Sequence, residues 1–100
     1  MGVMAIKIYI SGPMTGIKDY NYPAFNSAEK ELKIMGYKTF NPARIKSDKD
    51  WTWQDYMREC IKALPDCDKI YMLKGWENSK GAKIERSIAK TLGIEIIYER

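Results

Sequence analysis

Glu85 is the side chain in this sequence best placed to do chemistry. Around it runs a helical pattern from about Ser79 or Lys80 to Leu92, with Gly93 as its stop. On a wheel of about 100° per residue with Glu85 at zero, Leu92 falls near −20°, Ala89 near +40°, Ile88 near −60° and Ala82 near +60°. Lys83 and Lys90 point to the opposite side, near 160° and 140°. Glu85 therefore sits in the middle of the apolar stripe, in the first turns of a helix. A carboxylate there loses much of its hydration, which is costly unless something compensates. Amides at the helix N-terminus favour the ionised form and burial favours the protonated one. Perturbed carboxyls in clefts are functional-site candidates. A register one position off, with Glu85 paired to Lys80 or an arginine, is the structural alternative.

The inventory narrows the chemistry further. The chain has no histidine, so a Ser-His-Asp triad, a Cys-His pair and a His-containing zinc site are excluded. Its two cysteines, Cys60 and Cys67, are too few for a four-cysteine zinc site and are not spaced C-x-x-C. They read as buried thiols. Carboxylates, hydroxyls, lysines, tyrosines and backbone amides are what remain, and no metal or redox cofactor is expected.

The other candidates each fit two roles. Tyr9 suits an ordinary core tyrosine, or a hydroxyl that reaches Glu85. Ser11 and Thr15 suit turn formation or ligand contact. Ser79 suits a helix cap, and equally the position where a phosphate would bind; the two roles can coexist. Trp53 fits packing, while Trp76 fits either packing or stacking on a base. The stretch from Arg44 to Asp50 reads as a solvated loop.

Four short apolar segments must position these groups: Met4–Ile10, Tyr37–Phe40, Ile70–Leu73 and Ile94–Tyr98, each bounded by turn residues. Helical periodicity separates them. Phe25, Ala28, Leu32 and Met35 form one stripe, with Pro23 in the first turn and Gly36 at the stop. Trp53, Met57, Cys60 and Leu64 form a second, with Asp50 as its expected cap and Pro65 beyond it. This alternation predicts one α/β domain over residues 1–100, with about four parallel strands in the order 2-1-3-4 between helical layers. Ligands in such sheets bind beyond the carboxyl ends of the strands, where the winding reverses. Here that point lies between the first and third strands. Their following loops are Ser11-Gly12-Pro13-Met14-Thr15-Gly16 and Gly75-Trp76-Glu77-Asn78-Ser79-Lys80-Gly81, and both carry the glycines and hydroxyls that an oxyanion site needs.

The formal charge is +4 and the pI about 9.0, which suits an anionic ligand. The basic residues are scattered from Lys7 to Arg100 among acidic ones, which argues against nucleic acid. No apolar run approaches the ~20 residues of a membrane span. Met1-Gly2-Val3-Met4 lacks a signal-peptide core, and Ile6 stands where myristoylation requires Ser or Thr. The expected location is the cytoplasm, with reduced cysteines.

Three segments together carry a resemblance: Ile8-Tyr9-Ile10-Ser11-Gly12-Pro13-Met14, Asp68-Lys69-Ile70-Tyr71, and Gly75-Trp76-Glu77-Asn78-Ser79-Lys80-Gly81-Ala82-Lys83-Ile84-Glu85. Over nearly its whole length the chain resembles the nucleoside 2-deoxyribosyltransferase superfamily, within it a branch of small phage and bacterial proteins. The 2′-deoxynucleoside 5′-phosphate N-hydrolases belong to the same superfamily. The resemblance implies a flavodoxin-like fold and cleavage or transfer at the N-glycosidic bond of a 2′-deoxynucleoside or its 5′-monophosphate. It implies that Glu85 is the nucleophile, Tyr9 its orienter, and Ser11, Gly12, Thr15 and Ser79 a sugar-phosphate cradle, with Pro13, Met14, Gly16, Trp76 and Gly81 also in contact. It further implies a homo-oligomer. The chain departs from the superfamily eight residues before Asp68, where an aspartate is usual and Cys60 stands. Glu59 beside it points about 100° away, and Asp55 and Asp68 are the possible substitutes. That departure supports an alternative, a nucleotide-binding module without turnover. A basic protein acting on nucleic acid is a third reading.

Overall fold

The computed structural model describes residues 5–100, so Met1 to Met4, including the expected start of the first strand, lie outside the described residues. Seven main elements follow in order: β1 (Lys7–Ser11), α1 (Tyr22–Ile34), β2 (Lys38–Phe40), α2 (Trp53–Ala63), β3 (Lys69–Met72), α3 (Lys80–Thr91) and β4 (Glu95–Tyr98). The strands form one parallel sheet in the order β2-β1-β3-β4, as the alternation predicts. The central pair is in register with Tyr9 opposite Ile70 and Ser11 opposite Met72.

Alternation along β1 divides the core. Ile8 and Ile10 point to one face, where they pack with Phe25, Ala28 and Leu32 of α1. Tyr9 points to the other face, with Cys60 of α2 and Ala82 and Ala89 of α3. The result is a three-layer sandwich, one helix on one side and two on the other. Gly12 lets β1 end against the neighbouring strand's exit, since a Cβ there would stand 2.7 Å from the Leu73 Cβ.

Three local expectations differ from what is observed. Thr52, not Asp50, caps α2: its hydroxyl accepts from the Asp55 N–H while the Asp55 carboxylate accepts from the Thr52 N–H, a reciprocal capping box. Met35 and Leu92 sit on predicted apolar stripes yet are 67% and 53% exposed: α1 and α3 end at Ile34 and Thr91, and each residue is the C-cap just past the helix. Glu29, which no pattern singled out, is buried on α1. Its carboxylate accepts from Arg44 Nε at 2.6 Å and from Thr39 Oγ1 at 3.1 Å. Among the described residues, no helix is long and apolar enough to cross a membrane.

Candidate active site

Two residues apart on β1, Tyr9 and Ser11 share the face that looks toward α3. Glu85, in the second turn of α3, meets both. The Tyr9 hydroxyl donates to Glu85 Oε2 at 2.6 Å, and the Ser11 hydroxyl donates to Oε1 at 2.6 Å. Glu85 is 5% exposed, and both donors are fully buried. No cation pairs with it among the described residues. Lys80, the alternative partner, instead lies over the Trp53 ring, 4.9 Å from its centroid.

Burial dominates the electrostatics of this carboxyl. Desolvation drives its pKa up, the two hydroxyl donors partly offset that, and the balance stands at about 7. The same burial, reinforced by the charge of Glu85, raises the Tyr9 phenol well above its ordinary value, so Tyr9 remains a donor. Cys60 is pushed up to about 12, first by burial and then by Glu85, which makes it a neutral thiol. Glu85 can thus be converted to a carboxylate near neutral pH, held by two hydroxyls and facing no competing cation.

The carboxyl opens onto a cavity of about 850 Å³, within the range of small-molecule sites. From the loop after β1 come Gly12, Pro13, Met14 and Thr15, and from the α3 start come Asn78, Ser79, Lys80 and Gly81. These two loops touch, with Pro13 Cγ 3.3 Å from where a Gly75 Cβ would be. Gly75 has a φ of +89°, a conformation that favours glycine. The Ser79 hydroxyl accepts from the Ala82 N–H at 3.1 Å and so caps α3.

Other expected contacts lie elsewhere. Ser11 is beneath the cavity, its hydroxyl engaged with Glu85 rather than lining a cradle. Gly16 and Trp76 are not in the lining. The Trp76 ring is occupied by Tyr98, 5.7 Å away between centroids, and by the Arg86 guanidinium at 5.0 Å. Trp53 lines the cavity and is 38% exposed, not a core residue. Asp55 is committed to its capping box, and the Asp68 carboxylate accepts from the Lys7 N–H at the opposite end of β1. Neither reaches Glu85; Cys60 is what faces the cavity beside it.

The loop read as solvated contributes Ser47 and Asp48 to the wall, followed by Trp51. Tyr56 lines it too, its hydroxyl donating to the Pro42 carbonyl at 2.7 Å and so tying α2 to the turn after β2. Tyr56 precedes Cys60 by one helical turn, and that i, i+4 spacing is a signal that could have found it. Among the described residues, no three His, Cys, Asp or Glu side chains come together as a metal site.

The family described as "Domain of unknown function (DUF4406)" matches residues 6–98. Among curated proteins, none matches the chain in sequence. Among solved structures, the 2-deoxyribosyltransferase of the psychrotolerant bacterium Bacillus psychrosaccharolyticus superposes with a TM-score of 0.72 at 15% identity over 92% of this chain and 70% of its own. The 2-desoxiribosyltransferase of Leishmania mexicana gives 0.72 at 20% identity over 93% of this chain, and a conserved protein of Enterococcus faecalis V583 gives 0.69 at 20% over 95%. The chain spans 63% of the length of each of these two, under two thirds. At such identities the likeness establishes a common fold, the flavodoxin-like α/β fold that the strand order already displays.

Proposed function

The chain belongs to the DUF4406 family, and from that premise and the site geometry we propose that it is an enzyme cleaving or transferring the N-glycosidic bond of a 2′-deoxynucleoside or its 5′-monophosphate. One observation carries this reading. A carboxyl 5% exposed, with no cation paired to it among the described residues, is held by two buried hydroxyls at the wall of a cavity. Ionising such a group costs a fold stability, and the arrangement suits a nucleophile. The shared fold with two deoxyribosyltransferases agrees with it.

In the proposed reaction a Glu85 carboxylate oxygen bonds to C1′ of the deoxyribose. The C1′–N bond breaks, and the base leaves with that electron pair and takes up a proton. Water, or a second base in a transfer, then displaces the carboxylate from C1′. Charge spreads through an oxocarbenium-like transition state that an adjacent carboxylate stabilises. Tyr9 and Ser11 fix the carboxylate's orientation. The capped start of α3, with Ser79 and Lys80, suits an anionic 5′-phosphate. Assembly with a second copy of the chain belongs to the same reading and is tested by size-exclusion chromatography with light scattering.

A nucleotide-binding module without turnover is the second reading. The neutral Cys60 thiol at the wall, where a carboxylate would help a base depart, favours it. Incubation with each deoxynucleoside and deoxynucleotide, monitored for free base beside a Glu85→Gln control, separates the two. Base release that the control abolishes supports the enzyme. Saturable binding with no release from any substrate, at protein concentrations near the substrate's, overturns it in favour of the module.

A further inference from the structure

The cavity has two chemically different sides, which depart from different strands. In the strand order β2-β1-β3-β4, the start of α3 follows β3 and the loop carrying Ser47 and Asp48 follows β2. Tyr9 and Ser11, the residues that hold Glu85, are on β1 between them. Neighbouring strands are spaced about 4.8 Å apart, so the ends of β2 and β3 from which the two sides depart are about two strand spacings apart, with β1 between them. The sides meet only where the Trp53 ring, after Thr52, lies against Lys80. The α3 side offers Lys80 and free amides of a helix start. The β2 side offers a carboxylate, Asp48, with hydroxyls from Ser47 and Thr52 and the rings of Trp51 and Tyr56.

Asp48 stands out because its side chain is uncommitted. It enters no ion pair among the described residues. Its backbone carbonyl accepts from the Trp51 N–H at 3.0 Å, which fixes the turn that presents the residue to the cavity. An ionised carboxylate only accepts hydrogen bonds, whereas Ser47 and Thr52 can donate or accept. On that side Asp48 is therefore the group that discriminates.

We propose that Asp48 selects substrates whose base carries an exocyclic amino group. This inference rests on the reading of Glu85 as the residue that meets C1′. With C1′ at Glu85 and the anionic end of the substrate toward Lys80, the base extends to the β2 side. Its flat faces meet Trp51 and Tyr56, and its edge meets Asp48. An amino group of cytosine, adenine or guanine donates to the carboxylate, and guanine presents two N–H groups side by side to its two oxygens. The 4-oxo group of thymine or uracil presents a lone pair to the same carboxylate and is repelled. Direct readout of this kind follows the acceptor rule for acidic side chains on cytosine.

Two ligand pairs isolate the amino group: dGMP against dIMP, and dCMP against dUMP. Their affinities are measured by tryptophan fluorescence in a Glu85→Gln background, where binding is read without turnover. The expected result is tighter binding of the amino member of at least one pair by about tenfold. Asp48→Ala in that background removes the preference, and Asp48→Asn, whose amide can donate to the 4-oxo group that replaces the 4-amino group of cytosine, swings the pyrimidine pair toward dUMP. Equal affinities within both pairs, a preference that survives Asp48→Ala, or no binding by any of the four overturns the proposal. Base release by the native chain judges the reaction separately. Equal release within both pairs sinks the role of Asp48 and leaves the reaction standing, while amino-selective binding with no release does the reverse.

Discussion

Replacing Glu85 with glutamine has a consequence for stability that does not depend on any substrate. The carboxyl is 5% exposed and its pKa is carried from an ordinary 4.5 to about 7, chiefly by burial. The folded chain therefore holds this proton more tightly than the unfolded chain does. Its contribution to stability is fully present below pH 4.5, falls as the pH rises toward 7, and is constant above that. A tenfold change in proton affinity corresponds to about 1.4 kcal/mol, so ionising Glu85 inside the fold costs about 3 kcal/mol. Against a total of about 5–15 kcal/mol for a small domain, that is substantial. Glutamine cannot ionise. Its amide accepts through one oxygen only, so Tyr9 or Ser11 must reorient, an offset of about 1 kcal/mol that does not vary with pH. Urea unfolding of both proteins, read by tryptophan fluorescence at intervals from pH 4.5 to 8.5, gives the difference directly. Other titrating groups act alike in the two and cancel. The variant gains on the native chain by about 3 kcal/mol across that interval, and a difference that stays constant with pH refutes the buried, cation-free carboxyl.

The same group sets the expected pH dependence of activity: kcat/KM for base release rises about tenfold per pH unit below 7 and levels off above it, as carboxylate replaces carboxylic acid. Tyr9→Phe removes a donor that favours the ionised form, so the rising limb moves to higher pH and the plateau falls; an unmoved limb, read from a full pH–rate profile, rejects the orienting role. Gly12→Ala forces a Cβ to within 2.7 Å of Leu73 and is expected to destabilise by about 1–3 kcal/mol, seen as a lower urea midpoint. Burial raises Glu29, but hydrogen bonds from Arg44, Thr39 and Asn41 outweigh it and leave its pKa below the ordinary value. Its stabilising contribution is then present above the unfolded value and lost as pH falls, so Arg44→Gln shifts acid unfolding, followed by circular dichroism, to higher pH.

Periodicity made the central part of the site legible. Glu85 was visible because a charged residue interrupted an apolar stripe, and Tyr9 because it lies near the end of a strand beside the predicted switch point. Both inferences depend on regular geometry, a period of 3.6 or 2 that the backbone enforces. The far wall was not legible for the complementary reason. Ser47, Asp48 and Trp51 lie on a stretch with no period, whose course is set by a 3₁₀ turn at Pro42–Arg44, by the Tyr56 hydroxyl on the Pro42 carbonyl, and by Arg44 reaching Glu29. Those are contacts between residues 14 and 15 positions apart, which sequence spacing does not encode. Ser11 shows the same limit: its place near the site was predicted, but the direction of its hydroxyl depended on the helix it faces.

The pair of hydroxyls on β1 also bears on how the chain finds its fold. Strand pairing can slip, and a slip of one residue along β1 would turn Tyr9 and Ser11 toward α1 and offer Ile8 and Ile10 to the Glu85 carboxyl. Buried with neither donor, that carboxyl would make the slipped arrangement unfavourable by several kcal/mol, whereas an all-apolar interface would tolerate it at small cost. The residues proposed for chemistry thus act earlier, during assembly of the sheet, as a test of alignment that a one-residue slip of β1 fails.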